Sequence, residues 1–476
     1  MSSKNLPLTA ALVALLLIGL SWLIISGGMC ASPATTTLAP VVSSTTTTAT
    51  TATTSTTAAS STTTSSTTTT TLAEAQGVID PSFGASGIVE ESGTGGGDTD
   101  AGADLLVDGN GRIVVAGTCT GPNDEFYMTV WAYDSSGARD SSFGSNGVLL
   151  TNSASPGVNA YYGCAITRDA ANNYYIAGYA QPDDSTRAIV VWKVSPNGAL
   201  DSSFGNNGAL YIDSGTPGAM AYGIALDASD NIYVAGLKYG PEDAALLMKL
   251  DSTGQIDTSF GANGYANYQR KGFDNLAYDV VVDSSGRIYI VGHYVRDNNL
   301  KAGAIWRINS NGTYDASFGS SGVVILETTY NSAWSDIDID ASGKLVVAGY
   351  EAPPSSRIMY LARYTTTGVL DTSFNSIGYA TYSGRSYSVG SSLAFNSLNK
   401  IVVGGYAGST QDLYDYSIWR FTNSGALDTS FSTAGLFTAD LGGSDRALSI
   451  VIDGSNRLLV TGVVEDGTKM DLLRVK

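Results

Sequence analysis

The sequence predicts an all-β chain: a seven-bladed β-propeller of four-stranded antiparallel blades, following an N-terminal hydrophobic helix and a disordered Thr/Ser-rich stalk. Three observations predict it. A phrase of the form Asp-x-Ser-Phe recurs seven times, its phenylalanines 60, 61, 56, 58, 56 and 57 residues apart. A fixed period of this size means one supersecondary unit copied into an array. Each copy also carries four short apolar runs separated by turn residues, the pattern of a small antiparallel sheet. Finally, the runs are apolar on both faces, so such sheets bury their surface by packing radially around a channel.

The N-terminus comes first in the chain. Leu8 to Met29 is almost unbroken apolar sequence behind Lys4. About 20 apolar residues span a bilayer, whereas signal-peptide cores are shorter. Residues 1–34 are therefore read as a signal peptide or an N-terminal membrane anchor, with a lipoprotein cysteine at Cys30 as a third reading. Met29 stands where that motif expects a small residue. Residues 35–72 are nearly all threonine and serine. Such a tract has no apolar face to bury and is read as a disordered stalk, resembling O-glycosylated cell-surface linkers in composition. All three readings export the remainder, 73–476, to the cell surface or the extracellular space, anchored or secreted.

The third copy shows the blade most clearly. Gly208–Ile212, Ala221–Leu226, Ile232–Gly236 and Ala245–Leu250 are its four expected strands, with the turn Asp227-Ala228-Ser229-Asp230-Asn231 between the second and third. The third strand ends on a recognisable triplet in every copy, from Val115-Ala116-Gly117 to Val460-Thr461-Gly462. Four runs in the first copy and four in the last predict blades made of contiguous segments, closed by packing between the first and seventh. An open superhelical stack is the other arrangement.

The phrase supplies the candidate structural residues Asp80, Phe83, Asp140, Phe143, Asp201, Phe204, Asp257, Phe260, Asp315, Phe318, Asp371, Phe374, Asp428 and Phe431. It is expected to connect the fourth strand of one blade to the first of the next. Aspartate would accept turn amides or pair with a base, phenylalanine would plug between blades, and the following glycine would take positive φ. A base lies eight residues before the aspartate at Lys193, Lys249, Arg307, Arg363 and Arg420; the first such position holds Ala132, and Arg474 has no phrase after it.

These residues resemble the delta-60 repeat family, whose copies carry a leucine-aspartate-x-serine-phenylalanine-glycine phrase. The resemblance covers about Gly77 to Lys476 and departs at Asn375 and Ser432, which stand where glycine is expected. It implies an exported β-propeller and no particular activity or catalytic residue.

Composition narrows function further. With 25 basic against 43 acidic residues the net charge is -18, which repels nucleic acid and anionic membranes, leaving the N-terminal segment as the only membrane contact. His293 is the single histidine and is read as a loop residue rather than a base; no cysteine spacing suits zinc and no loop has EF-hand spacing. Accordingly no catalytic, cofactor-binding or metal residue is assigned, and no cofactor. Cys119 and Cys164 are candidates for an inter-blade disulfide, with two separate buried thiols the other reading. Asn311-Gly312-Thr313 is a lone N-glycosylation sequon. The loops that differ between copies, such as Thr120–Glu125, Gln181–Asp184 and Ser409–Tyr416, share one face and mix acids with aromatics, a composition suited to a glycan or a surface protein. Two functions follow as expectations: a binding, adhesion or scaffold module without catalysis, or an extracellular glycan-acting hydrolase or lyase using loop carboxylates.

Overall fold

In a computed structural model, the structure describes residues 74–476 apart from 153, 156, 159, 184–185, 214–217, 269–273, 411–412 and 465–467. The expected segments 1–34 and 35–72 lie outside the described residues, as do parts of the variable loops. Seven sheets, each of four antiparallel strands, form a closed ring. From the channel outward the first blade is Asp100–Val107, Ile113–Thr120, Phe126–Tyr133 and Val148–Thr151. The second runs from inner strand Tyr161–Arg168 to outer strand Ala209–Ile212, and the third from Ala219–Leu226 to Tyr265–Tyr268. The fourth spans Leu276–Val282 to Val323–Ile325, the fifth Asn331–Ile339 to Tyr379–Tyr382, and the sixth Tyr387–Phe395 to Leu436–Ala439.

The seventh blade corrects the expectation of contiguous blades. Its inner three strands are Arg446–Ile452, Leu458–Val464 and Lys469–Val475, but its outer strand is Ile88–Glu91, from the other end of the chain. Ile88 lies opposite Leu473, and Glu91 opposite Met470. The run after each phrase is thus the outer strand of the blade already begun, not the first strand of the next. The phrase therefore lies within a blade, between its third and outer strands. Closure rests on backbone hydrogen bonds between the chain's two ends as well as on packing, which excludes the open stack.

Packing follows the alternation of the strands. Each core lies between neighbouring blades: Ile189 and Val191 of the second meet Leu246 and Met248 of the third, and Leu105, Val115 and Trp131 of the first meet Leu459, Met470 and Leu472 of the seventh. Turns between inner and second strands repeat one device. In the third blade Asp227 Oδ1 accepts the amides of Ser229 and Asn231, at 2.8 and 3.0 Å, and Asp108, Asp169, Asp283, Asp340, Asn396 and Asp453 do the same in the others. The hairpin reading of that turn is what the structure shows.

Candidate functional site

The two ends of the ring differ in kind. On one end lie the short turns and the seven phrases. In every copy the phrase serine hydroxyl donates to Oδ1 of its aspartate at 2.5–2.8 Å. The second carboxylate oxygen takes a base: Lys193 on Asp201 at 3.2 Å, Lys249 on Asp257 at 2.8 Å, Arg307 on Asp315 at 2.8 Å, Arg363 on Asp371 at 2.7 Å and Arg420 on Asp428 at 2.8 Å. Two copies depart from the sequence spacing. Arg474, with no phrase after it, pairs with Asp80 of the first phrase at 2.9 Å. Where Ala132 leaves no base, Arg112 reaches across from the turn after the inner strand to Asp140 at 2.7 Å.

These pairs staple adjacent blades. Arg112 also donates to Pro196 O of the second blade at 2.6 Å, Arg363 to Asn423 O of the sixth at 2.7 Å, and Arg474 to Ser135 O of the first. The amide after each phenylalanine donates to the next blade's turn, from Gly84 onto Ser136 O round to Ser432 onto Gln76 O. All seven phenylalanines are fully buried, and the Arg474 guanidinium sits 4.4 Å from the Phe83 ring centre. At Gly84 φ is 50° and a Cβ would meet Ile88 O at 2.3 Å; Asn375 and Ser432 adopt the same left-handed backbone, at 47° and 45°. Burial opposes ionisation of Asp80, yet the Ser82 hydrogen bonds and the Arg474 charge bring it down to about 2. Each phrase carboxylate is thus already engaged by a hydroxyl, an amide and a cation.

The channel wall carries a second set of carboxylates. Every inner strand has a bulge, and the residue after it faces the next blade. Asp104 accepts the amide of Ile166 at 2.8 Å, Asp279 that of Ile337 at 3.2 Å and Asp336 that of Leu393 at 2.6 Å. Ser449 of the seventh blade donates to Asp104 at 2.7 Å, carrying the stitch across the closure. Asp279 and Asp336 are fully buried and pushed up by burial, Asp279 further by the neighbouring Asp336 charge. Between the sixth and seventh blades buried Asp471 rises to about 8 through burial, even though it accepts the Tyr416 hydroxyl. Tyr416 belongs to strand Asp415–Phe421 and not to the variable loop assigned to it.

His293 also departs from expectation, lying inside strand Ile288–Val295 at 4% exposure rather than in a loop. Burial, then the Lys301 charge, lowers it to about 3, and its Nδ1 has no hydrogen-bond partner. A buried, neutral imidazole held beside Tyr278 at 5.9 Å is a packing residue. Cys119 is a free buried thiol that accepts a hydrogen bond from Thr129 at 3.1 Å, so the expected bridge to Cys164 is not formed. Cys119 faces Leu459 and Met470 of the seventh blade, whereas Cys164 packs with Met220 and Leu237 of the third, on the opposite side. Asn311 lies exposed in the turn before the fourth blade's outer strand, its Oδ1 accepting from Thr313 at 2.7 Å. Among the described residues no group of three His, Cys, Asp or Glu side chains is placed to hold a metal ion.

The opposite end, where the variable loops emerge, carries the candidate site. The position after each triplet glycine is aromatic in four blades: Tyr179, His293, Tyr350 and Tyr406. Tyr179 and Tyr350 pack in one cluster with the bulge residues Tyr222 and Tyr278, and Tyr350 joins it to a second around Tyr406 and Tyr414. Tyr162 stacks on Tyr179 at 4.6 Å, Tyr222 lies 6.0 Å from Tyr278, and Tyr406 lies 4.8 Å from Tyr414. Burial pushes the Tyr179, Tyr222 and Tyr278 phenols well above their ordinary range, so they stay neutral. Arg187 lies near Tyr179 and Tyr222, and two further guanidiniums lie over rings of this set. Arg357 lies 5.2 Å from the Tyr350 ring centre, and Arg446 lies 5.3 and 5.9 Å from those of Tyr414 and Tyr406. Burial alone would depress Arg357, but the Tyr406, Tyr350 and Tyr414 phenols keep it protonated. Of the loop aromatics expected from the sequence, Tyr414 lies in its loop and Tyr416 in a strand; Tyr179, Tyr350 and Tyr406 stand near strand ends, and the residue following each triplet glycine was the signal that marked them.

This architecture defines a seven-bladed β-propeller built from repeats. A family model described as "Domain of unknown function (DUF5122) beta-propeller" matches residues 172–204, 284–318, 341–374 and 399–431, each a stretch ending in a phrase phenylalanine. No curated protein matches the sequence. Among solved structures, an ulvan lyase of polysaccharide lyase family PL25, bound to a glucuronate–sulfated rhamnose unit, is 12% identical with a TM-score of 0.46, covering 79% of this chain and 94% of that one. Drosophila Semaphorin 2a is 8% identical with a TM-score of 0.45, covering 85% and 76%. A gluconolactonase from Xanthomonas campestris is 12% identical with a TM-score of 0.35, covering 64% and 83%. With TM-scores below 0.5, these likenesses carry no argument about this chain.

Proposed function

We propose that this chain is an exported binding module: a propeller of delta-60-like repeats, held on a threonine-rich stalk by a cell-surface or secreted N-terminus, that captures a glycan or a surface protein and does no chemistry on it. The observation that carries the reading is the tyrosine–arginine cluster on the end where the loops vary. Aromatic rings with a few cations, on a rigid scaffold ringed by variable loops, suit recognition of a ligand. The competing reading, a glycan hydrolase or lyase, requires two carboxyls facing one cleft about 5–10 Å apart. Among the described residues four of the raised carboxyls, Asp279, Asp336, Asp338 and Asp471, are enclosed within the blades, while Asp243 and Glu351, also raised by burial, lie at the variable end and are the carboxyls that reading would use.

Screening the propeller, residues 73–476, against arrayed glycans, with a chain-cleavage assay on every hit, tests the reading. Binding without cleavage is expected. Cleavage that disappears on replacing one loop carboxylate by its amide would establish the enzyme instead.

A further inference from the structure

We propose that the mouth between the fifth and seventh blades is an anion subsite that takes the acidic group of a charged saccharide. The proposal rests on the binding-module reading and names its ligand class. Its centre is the ring pair Tyr406 and Tyr414 of the sixth blade. Arg357 comes to it from the end of the fifth blade's variable loop, and Arg446 from the first residue of the seventh blade's inner strand. Both guanidiniums therefore reach Tyr406, Arg446 over its ring and Arg357 toward its hydroxyl.

Their lack of partners is the second observation. In a chain with 43 acidic and 25 basic residues, carboxylates are abundant. Arg112, Arg139, Arg287, Arg296, Arg307, Arg363, Arg385, Arg420, Arg457 and Arg474 all pair with one. Arg168 and Arg187 donate instead to carbonyl or amide oxygens. Among the described residues Arg357 and Arg446 alone make neither contact; Arg357 is directed at the Tyr406 phenol, and both lie over tyrosine faces. The nearby acids are committed elsewhere: Asp415 pairs with Arg385 at 2.5 Å, and Asp445 accepts the Leu441 amide at 2.6 Å. Arg357 lies over Tyr350 and Arg446 over Tyr406 and Tyr414, within one tyrosine cluster, and an oxyanion seated there would accept their forked donors.

The surroundings favour a saccharide over an acidic peptide. Tyr350 and Tyr387 are half-buried beside the pair and offer flat rings edged by hydroxyls. Such faces stack on the apolar face of a pyranose and hydrogen-bond its hydroxyls. The recognised group is a carboxylate or a sulfate, a planar or tetrahedral oxyanion that a guanidinium pair accepts equally well.

Isothermal titration of the full chain decides the matter. The probes are oligogalacturonate, its methyl ester, a sulfated oligosaccharide from heparin, and an oligoglutamate peptide. The acid form should bind at least about tenfold tighter than the ester, the scale of a lost charged hydrogen bond. R357Q and R446Q should each weaken the acidic saccharide by about tenfold and leave the ester unchanged, the unchanged ester binding showing that the mouth is intact. Preference between oligogalacturonate and the heparin fragment assigns carboxylate or sulfate. Equal binding of acid and ester, or indifference to both glutamine variants, would overturn the subsite while leaving the binding module standing. Binding of oligoglutamate in place of both saccharides would overturn the saccharide assignment. Failure of every probe on a folded chain would overturn the subsite, and the glycan array then judges the wider reading independently.

Discussion

Replacing Asp80 by asparagine strikes the ring at the point where its two ends meet. Asp80 and Arg474 are 5% and 2% exposed at their side chains, and they join the first phrase to the last strand at 2.9 Å. Removing one partner of a buried pair leaves the other charged and unpaired, at a cost of about 3–5 kcal/mol. Arg474 keeps its bonds to Ser135 O and the Ser82 hydroxyl, so the lower end of that range applies. Asp201→Asn is the control: Lys193 and Asp201 are 14% and 26% exposed at 3.2 Å, and such pairs are worth about 1 kcal/mol or less. With an unfolding entropy of about 2 cal/mol/K per residue, the propeller's melting point should fall by about 4 °C for Asp80→Asn and by about 1 °C for Asp201→Asn. The acid limb carries a second signature. Asp80 titrates at about 2 in the fold against 3.8 for the ordinary group. Its contribution, about 2 kcal/mol, is present above pH 4 and fades as the pH falls toward 2, and the variant should lack that loss. Differential scanning calorimetry from pH 2 to 7 measures both. Equal shifts for the two variants, or an acid limb unchanged in Asp80→Asn, would refute the closure reasoning.

Three further outcomes follow from the same geometry. Phe204→Ala, at a fully buried phrase ring, should cost about 3–5 kcal/mol in urea unfolding; a loss below about 1 kcal/mol would show that the ring does not pack between blades. Ser432→Gly should stabilise by up to about 1 kcal/mol, because serine there holds φ at 45° where the other copies use glycine or asparagine. Asp471 stays protonated until about pH 8 in the fold, while the unfolded group ionises near 3.8, so its burial penalises folding increasingly between those values. Asp471→Asn should therefore gain stability relative to the parent as the pH rises from 4 to 8, read from melting points, and a pH-independent difference would contradict the shift.

Much of the architecture was readable because it repeats. Seven phrases, seven glycine triplets and four runs per copy identify the blades, since the turn chemistry and apolar alternation are local. The blade boundary was not readable in the same way. Shifting the repeat frame by one strand leaves every period unchanged, and only hydrogen bonding decides that Ile88–Glu91 completes the seventh blade. One trace of closure was present in the residues: Arg474 is a base with no phrase after it, and the first phrase has no base before it, so each completes the other. Ala132 carried no such trace, because Arg112, which replaces the missing base, lies on a different turn. The candidate site was half legible. Loop variation pointed to the end of the ring where the tyrosines and Arg357 and Arg446 gather, but Tyr179, Tyr350 and Tyr406 sit on strand ends where apolar patterning makes them look like core. The convergence of Arg357 and Arg446, 89 positions apart in the chain, belongs to the ring alone.

The most direct test of the whole account is a crystal structure of the full chain with bound oligogalacturonate. The account predicts the saccharide on the variable end, a ring stacked on Tyr350 or Tyr387, and a carboxylate within hydrogen-bond reach of Arg357 and Arg446. A saccharide bound instead at the phrase end, or at the variable end with both guanidiniums untouched, would contradict it.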